Sequence, residues 1–220
     1  MPAIVLPQPV DSRPSGRGHI RLAVPIVLTG WLLLVLALGA AGAFVGRPGT
    51  APLPIAVGVA APLMVFFAWL RLSPAFRAFV FSLDLRLIVA IQAWRWAGLG
   101  FLSLYAHKVL PAVFALPAGL GDMAIGVTAP WIVLSLARQP GFAARGAFIR
   151  WNVLGIFDLA IAISIGAASA FFATGASGQI STAPMATLPL LLIPAFMVPL
   201  FLMLHTTALM QSRQLRRSGA

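Results

Sequence analysis

Two of the four carboxylate side chains in this 220-residue sequence lie inside long apolar stretches. They are Asp122 and Asp158, and the sequence contains no glutamate. An ionisable group at membrane depth is costly unless it is paired or faces a cavity, and such groups mark ion pathways, proton relays and substrate sites. The two aspartates are therefore the first candidates for a functional site.

A second set of polar residues lies on the third apolar segment. At about 100° per residue, Gln92, Arg95 and Ser103 fall within an arc of roughly 80° on a helix. This polar stripe is predicted to face protein. Counted at about 1.5 Å per residue, Arg95 lies about 13 Å from Arg86 and Asp158 about 12 Å from Arg150. Arg95 and Asp158 are therefore predicted to lie at the same depth, either as a structural ion pair or as part of a transport or catalytic site.

The fifth apolar segment presents small residues on the face that carries Asp158. The members of this row are Gly155, Asp158, Ala162, Gly166 and Ser169. Small residues at helix interfaces let membrane helices approach closely. Asp158 is thus expected at a close contact between helices.

Asp122 ends the tetrapeptide Gly119-Leu120-Gly121-Asp122, which resembles the Gly-x-Gly-Asp motif of intramembrane aspartyl proteases. In that chemistry two neighbouring carboxyl groups share a proton, so that one acts as acid and the other as base. Counted from Arg138, however, Asp122 lies about 24 Å along its segment, roughly 12 Å from the level of Asp158. The motif aspartate also comes first in this chain, whereas in those proteases it comes second. Protease chemistry is therefore an alternative and not the main prediction.

The sixth apolar segment contains a proline every five residues: Pro184, Pro189, Pro194 and Pro199. Each interior proline removes a helix hydrogen bond, so this segment is predicted to be kinked or broken. Backbone freed at membrane depth is tolerated where protein or a cavity satisfies it, as in transporter sites. His205, predicted near the cytoplasmic end of the segment, is a candidate proton relay or a residue bonded to a neighbouring helix.

Composition defines the class of protein. The sequence is 60% hydrophobic and 9% charged, with a mean hydropathy of +0.99, which is typical of an integral membrane protein. It is predicted to be an all-α bundle of six transmembrane helices. The predicted spans are 21–45, 52–72, 86–106, 111–137, 151–173 and 184–210. The net charge of +11 does not indicate nucleic-acid binding here, because the arginines fit the positive-inside rule with both termini cytoplasmic.

Three other segments carry predictions of their own. Residues 1–20 are predicted to be a disordered cytoplasmic tail, and residues 213–220 a basic one. A signal peptide ending near Ala41-Gly42-Ala43 is an alternative for the first span. The segment 73–86 is predicted to lie along the cytoplasmic interface or to be a simple connecting loop.

Residues 86–210 contain a series of motifs. They are Gln92-x-x-Arg95-x-x-Gly98, then Leu110-Pro111-x-x-Phe114-Ala115-x-Pro117-Ala118-Gly119-x-Gly121-Asp122 with Gly126 and Ala129-Pro130, then Trp151-Asn152-x-x-Gly155-x-x-Asp158, and last Ile193-Pro194-x-Phe196-x-Val198-Pro199 with His205. In these motifs the chain resembles a family of uncharacterised bacterial multi-span proteins. That family has no assigned activity. The resemblance implies the architecture and the choice of residues, and it implies no function.

The sequence therefore predicts a multi-pass protein of the bacterial inner membrane with an intramembrane polar site. Its predicted members are Gln92, Arg95, Asp122, Asn152, Asp158 and His205, with Pro189, Pro194 and Pro199 as helix-breaking residues. The expected function is movement of a small solute or proton, with a homo-oligomer expected because six helices are few for a complete transporter. A membrane enzyme or a structural subunit is the alternative. No cofactor, metal site or nucleic-acid partner is predicted, the substrate is unknown, and no nucleotide-binding loop, zinc motif or nucleophile elbow is present.

Overall fold

The structure, a computed structural model, describes residues 16–218, and it is all-helical within that range. The main helices are α1 (Gly16–Ala40), α2 (Leu53–Leu72), α3 (Pro74–Phe81), α4 (Leu85–Gln92), α5 (Leu99–Ala106), α6 (Ala112–Arg138), α7 (Gly146–Phe171) and α8 (Val198–Ser218). A 3₁₀ segment, Ala93–Gly98, joins α4 to α5, and a π-helical turn, Ile193–Met197, leads into α8. Residues 1–15 of the predicted N-terminal tail lie outside the described residues.

Six helical stretches of the described chain are long and apolar enough to cross a membrane, which confirms the predicted fold class. They are Ile20–Ala40, Leu53–Leu72, Leu85–Ala106, Ala112–Arg138, Gly146–Phe171 and Ile193–Ser218. Three of them differ from the predicted bounds by more than two residues. The first ends at Ala40, before the predicted residue 45. The fifth begins at Gly146, before the predicted residue 151, and the sixth begins at Ile193 and continues to Ser218, so that most of the predicted basic tail is helical.

The late start of the sixth helix follows from its prolines. Pro184 lies in a short 3₁₀ turn, Ala183–Ala186, and the Leu188–Pro189 peptide bond is cis. Pro194 lies in the π-helical turn, and Pro199 is buried in the first turn of α8. Since Pro199 has no N–H, it cannot donate to the carbonyl of Ala195, and the regular helical hydrogen bonds begin only after it.

The segment after α2 is a helix and not a loop. Ser73 caps α3 by accepting a hydrogen bond from the Phe76 N–H at 3.1 Å. Phe76 and Val80 are buried against Leu70, in a cluster that also includes Ile20 of α1 and Met210 of α8. This cluster joins α1, α2, α3 and α8 at one end of the bundle.

Candidate functional site at the centre of the bundle

The site is built around Arg95, whose side chain has no solvent exposure. Its Nε donates to Asp122 Oδ1 at 2.7 Å, and its Nη2 donates to Asp158 Oδ2. Arg95 and Asp158, which were predicted to lie at the same depth, thus form an ion pair, and Asp122 shares the same guanidinium. The two carboxylate side chains keep 17% and 16% of their surface exposed.

The predicted separation of Asp122 from Asp158 is wrong. Measured from the observed helix ends, Asp122 lies about 24 Å before the end of α6 and Asp158 about 18 Å after the start of α7. The earlier count began at Arg150 and so missed the first turn of α7. The remaining difference in depth between the two aspartates is within the reach of the Arg95 side chain, which donates hydrogen bonds to the two carboxylates from different nitrogens.

The predicted polar stripe on the third span is correct for Gln92 and Arg95, which are buried, and wrong for Ser103, which is exposed. The 3₁₀ segment Ala93–Gly98 explains the difference. A 3₁₀ helix turns by about 120° per residue, against about 100° in an α-helix. Six such residues rotate the rest of the span by roughly a third of a turn and bring Ser103 out of the site.

Glycines let the 3₁₀ segment lie directly on α6. A Cβ added at Gly126 would lie 2.6 Å from the carbonyl carbon of Arg95, and one added at Gly98 would lie 2.7 Å from the carbonyl oxygen of Gly119. The backbones could not approach so closely with larger residues at these positions. This contact was not predicted, although Gly119 and Gly126, seven residues apart on one helix face, gave a signal for it.

His205 lies at the level of Arg95, not near the end of its helix as predicted, because α8 continues for thirteen residues, about 20 Å, beyond it. Arg95 Nη1 donates to His205 Nε2 at 3.2 Å, so His205 carries its proton on Nδ1. That Nδ1 donates to Asn152 Oδ1 at 2.9 Å, and Asn152 Nδ2 donates to the Phe148 carbonyl at 2.9 Å. The histidine is therefore neutral and fixed in one tautomer.

The small-residue row of α7 makes the expected close contact. A Cβ at Gly155 would collide with the ring of His205, and the Gly155 carbonyl accepts a hydrogen bond from Arg95 Nη1 at 3.3 Å. A Cβ at Gly121 of α6 would collide with the carboxylate of Asp158. Gly121 and Gly155 let α7 lie close to α6 and to α8, so that Asp158 of α7 and His205 of α8 both reach the guanidinium.

Gln92 and two aromatic side chains complete the site around Arg95 and His205. Gln92 Nε2 donates to the Phe201 carbonyl at 3.3 Å, and its buried Oε1 has no partner among the described residues. The Arg95 guanidinium carbon lies 5.8 Å from the centre of the Phe201 ring, and the Trp151 ring meets the His205 ring edge to face. All six predicted site residues thus lie in one connected cluster, which Phe201 and Trp151 join without having been predicted.

A cavity of about 180 Å³ connects Asp122 to one end of the bundle. Its walls are mostly apolar and include Phe101, Phe114 and Leu159. The proline-rich segment contributes Pro194, and the rim contains Arg47. Arg95, Asn152 and His205 are buried and are not part of the lining.

These helices and this cluster define a multi-pass membrane protein with a charged, hydrogen-bonded site inside its helix bundle. The chain belongs to the family described as Domain of unknown function (DUF8737), whose family model matches residues 52–213. The match includes every member of the site and begins after α1. Comparison with curated proteins and with solved structures gave no match.

Proposed function

We propose that the protein carries protons across a membrane and can carry a small solute with them, and that Asp122 is the group that exchanges the proton. The observation that carries the proposal is the charge of the site. Asp122 and Asp158 share one cation, Arg95, and His205 is held neutral by its hydrogen bonds. With both carboxylates ionised the cluster has a net charge of −1, and one bound proton makes it neutral.

A neutral cluster is much easier to hold in a low-dielectric interior than a charged one. Proton binding at Asp122 leaves Arg95 and Asp158 as a neutral pair. The attraction between Arg95 and the protonated Asp122 then weakens. This loosens one of the contacts between α6, which carries Asp122, and the 3₁₀ segment, which carries Arg95. Proton binding and helix movement are coupled in this way.

The cavity supports the choice of Asp122 and limits the solute. Asp122 lines it, and Asp158 is not part of its lining. A volume of about 180 Å³ with one carboxylate in an apolar wall suits a small solute that is neutral or cationic, and disfavours an anion. Asp122 and Asp158 each accept a hydrogen bond from Arg95, and the two carboxylates are not hydrogen-bonded to each other. This arrangement favours a transporter over an aspartyl protease, in which the two carboxyl groups share a proton.

The proposal is tested by proton flux into liposomes that contain a pH-sensitive dye and the purified protein. With a potassium diffusion potential as driving force, the wild-type protein is expected to acidify the interior faster than empty liposomes do. Asp122→Asn is expected to reduce this flux at least tenfold. Asp84→Asn is the matched control, because Asp84 is exposed and only caps α4. Wild-type flux equal to that of empty liposomes, or undiminished flux in Asp122→Asn, would refute the proposal.

We infer further that both termini face the cytoplasm of a bacterial cell. The support is the distribution of arginines, most of which lie at the end of the bundle that carries α3 and the end of α8. The chain has no cysteine, so single cysteines report cleanly. In intact spheroplasts a membrane-impermeant thiol reagent is expected to label Ser177→Cys, in the exposed connection after α7, and not Ser218→Cys. The reverse labelling pattern would contradict this topology.

A further inference from the structure

A large apolar groove lies between α1 and α2 on one side and α3, α4 and α8 on the other. Its volume is about 850 Å³, and its lining is almost entirely apolar. It extends from Phe44 at one end of the bundle to Phe76 and Phe79 at the other. Along α1 the lining runs from Val24 to Leu38, a rise of about 21 Å, which exceeds the depth of one leaflet of the hydrocarbon core.

The helices that form the outer wall are held at their two ends. Val35 and Phe44 pack against Leu191 and Ala195 at one end, and Leu70 packs against Phe76 and Val80 at the other. Between these clusters, side chains such as Leu34, Val57 and Val65 line the groove and remain largely exposed. The groove is therefore a feature of the fold, and its chemistry suits hydrocarbon.

Three arginines lie close in sequence to residues that line the groove at its Phe76 end, although none of them is part of the lining. Arg77, next to Phe76, donates from Nε to the Leu70 carbonyl at 3.2 Å and from Nη2 to the Arg71 carbonyl at 3.0 Å, which fixes its guanidinium at the end of α2. Arg71 is exposed, and Arg21 lies one turn before the groove residue Val24 on α1. Among the described carboxylates, Asp84 is the one near this end, and it caps α4. This mouth of the groove is thus positively charged.

We propose that the groove binds the acyl chains of an anionic phospholipid, whose phosphate lies among Arg21, Arg71 and Arg77. Basic pockets between transmembrane helices on the cytoplasmic side recognise anionic lipid headgroups, and each nearby basic residue strengthens binding to an anionic surface about fivefold. The apolar walls hold the chains, and the arginines select the headgroup. A bound lipid would join α1 to the part of the chain that the family model covers. This site is separate from the Asp122 cluster, so the proposal does not depend on the proposed transport.

Native mass spectrometry of the full chain in mild detergent tests the site. The added probes are phosphatidylglycerol, phosphatidylcholine of the same chain length, and glycerophosphate without chains. The wild-type protein is expected to retain phosphatidylglycerol at least tenfold more than phosphatidylcholine and to retain no glycerophosphate. Arg21→Gln combined with Arg71→Gln is expected to remove most of this preference. The control double variant, Arg138→Gln with Arg150→Gln, removes equal charge away from the groove and is expected to keep it.

A variant of the groove itself separates a lipid held by its chains from one held by surface charge. Ala61 lines the groove on α2, and Ala61→Phe is expected to reduce the retention of both lipids while the protein stays folded by circular dichroism. Four results would overturn the proposal. These are equal retention of the two lipids, an equal loss in the control double variant, unchanged retention in Ala61→Phe, or a dimer that excludes lipid, which would mean that a second copy covers the groove.

Discussion

Arg95→Gln is expected to lower the free energy of unfolding by about 3–5 kcal/mol, since it removes one partner of a buried ion cluster and leaves two carboxylates without their cation. The measurement is a denaturant titration of the purified protein in mixed micelles. Arg150→Gln is the control, because Arg150 is exposed near the start of α7 and is expected to change stability by less than about 0.5 kcal/mol.

The neutral triple variant decides what the cluster is for. In Arg95→Gln/Asp122→Asn/Asp158→Asn every charge of the site is removed, Asn keeps the size of Asp, and the shorter Gln keeps a polar group in place of Arg95. Replacing a buried ion cluster with neutral groups is often close to neutral in stability, so the triple variant is expected to recover most of the lost stability and to show no proton flux. If it stays as unstable as Arg95→Gln, the cluster is a structural lock between helices, and the transport proposal loses its basis.

Gly126→Ala is expected to destabilise the protein by about 1–3 kcal/mol and to reduce proton flux. The added methyl group would meet the backbone of Arg95 and Trp96, with 2.9 Å to the Trp96 Cα, and backbone cannot move aside as a flexible side chain can. The 3₁₀ segment must then shift away from α6, and Arg95 shifts with it. The same micelle titration and flux assay measure both effects.

Gly100→Ala is the matched control for that substitution. Gly100 lies in α5, just after the 3₁₀ segment that Gly126 contacts, and an added Cβ there meets no atom within 4 Å. Alanine has a better helix propensity than glycine, so this change is expected to raise stability by about 0.5–1 kcal/mol. Equal effects at Gly100 and Gly126 would mean that the close contact of the 3₁₀ segment with α6 does not hold the site together.

Most of the architecture is predictable from the sequence, because six apolar stretches of sufficient length leave little choice of fold. The site residues are also predictable, since polar and ionisable side chains at membrane depth are few. Their geometry is harder to predict. The 3₁₀ segment that carries Arg95 has no proline or glycine at its start to signal it, and yet it rotates Ser103 out of the site.

The depths of Asp158 and His205 were predicted wrongly for a related reason. Arginines were used to mark the helix ends, but α7 begins before Arg150 and α8 runs past Arg213. A helix can extend beyond the hydrocarbon at no cost to its backbone hydrogen bonds, and the charges then mark neither end. The side chain of Arg95 also spans several ångström, so residues at different levels can share it.

The central claim is that Asp122 binds the proton that neutralises the Arg95 cluster. Infrared difference spectroscopy of the protein in lipid, recorded as the pH is changed, detects a protonated carboxyl group directly. A carboxylic acid band that titrates in the wild-type protein and in Asp84→Asn, and is absent in Asp122→Asn, is the predicted result. A spectrum in which both membrane aspartates stay ionised throughout, or in which the band is lost only in Asp158→Asn, would contradict the claim.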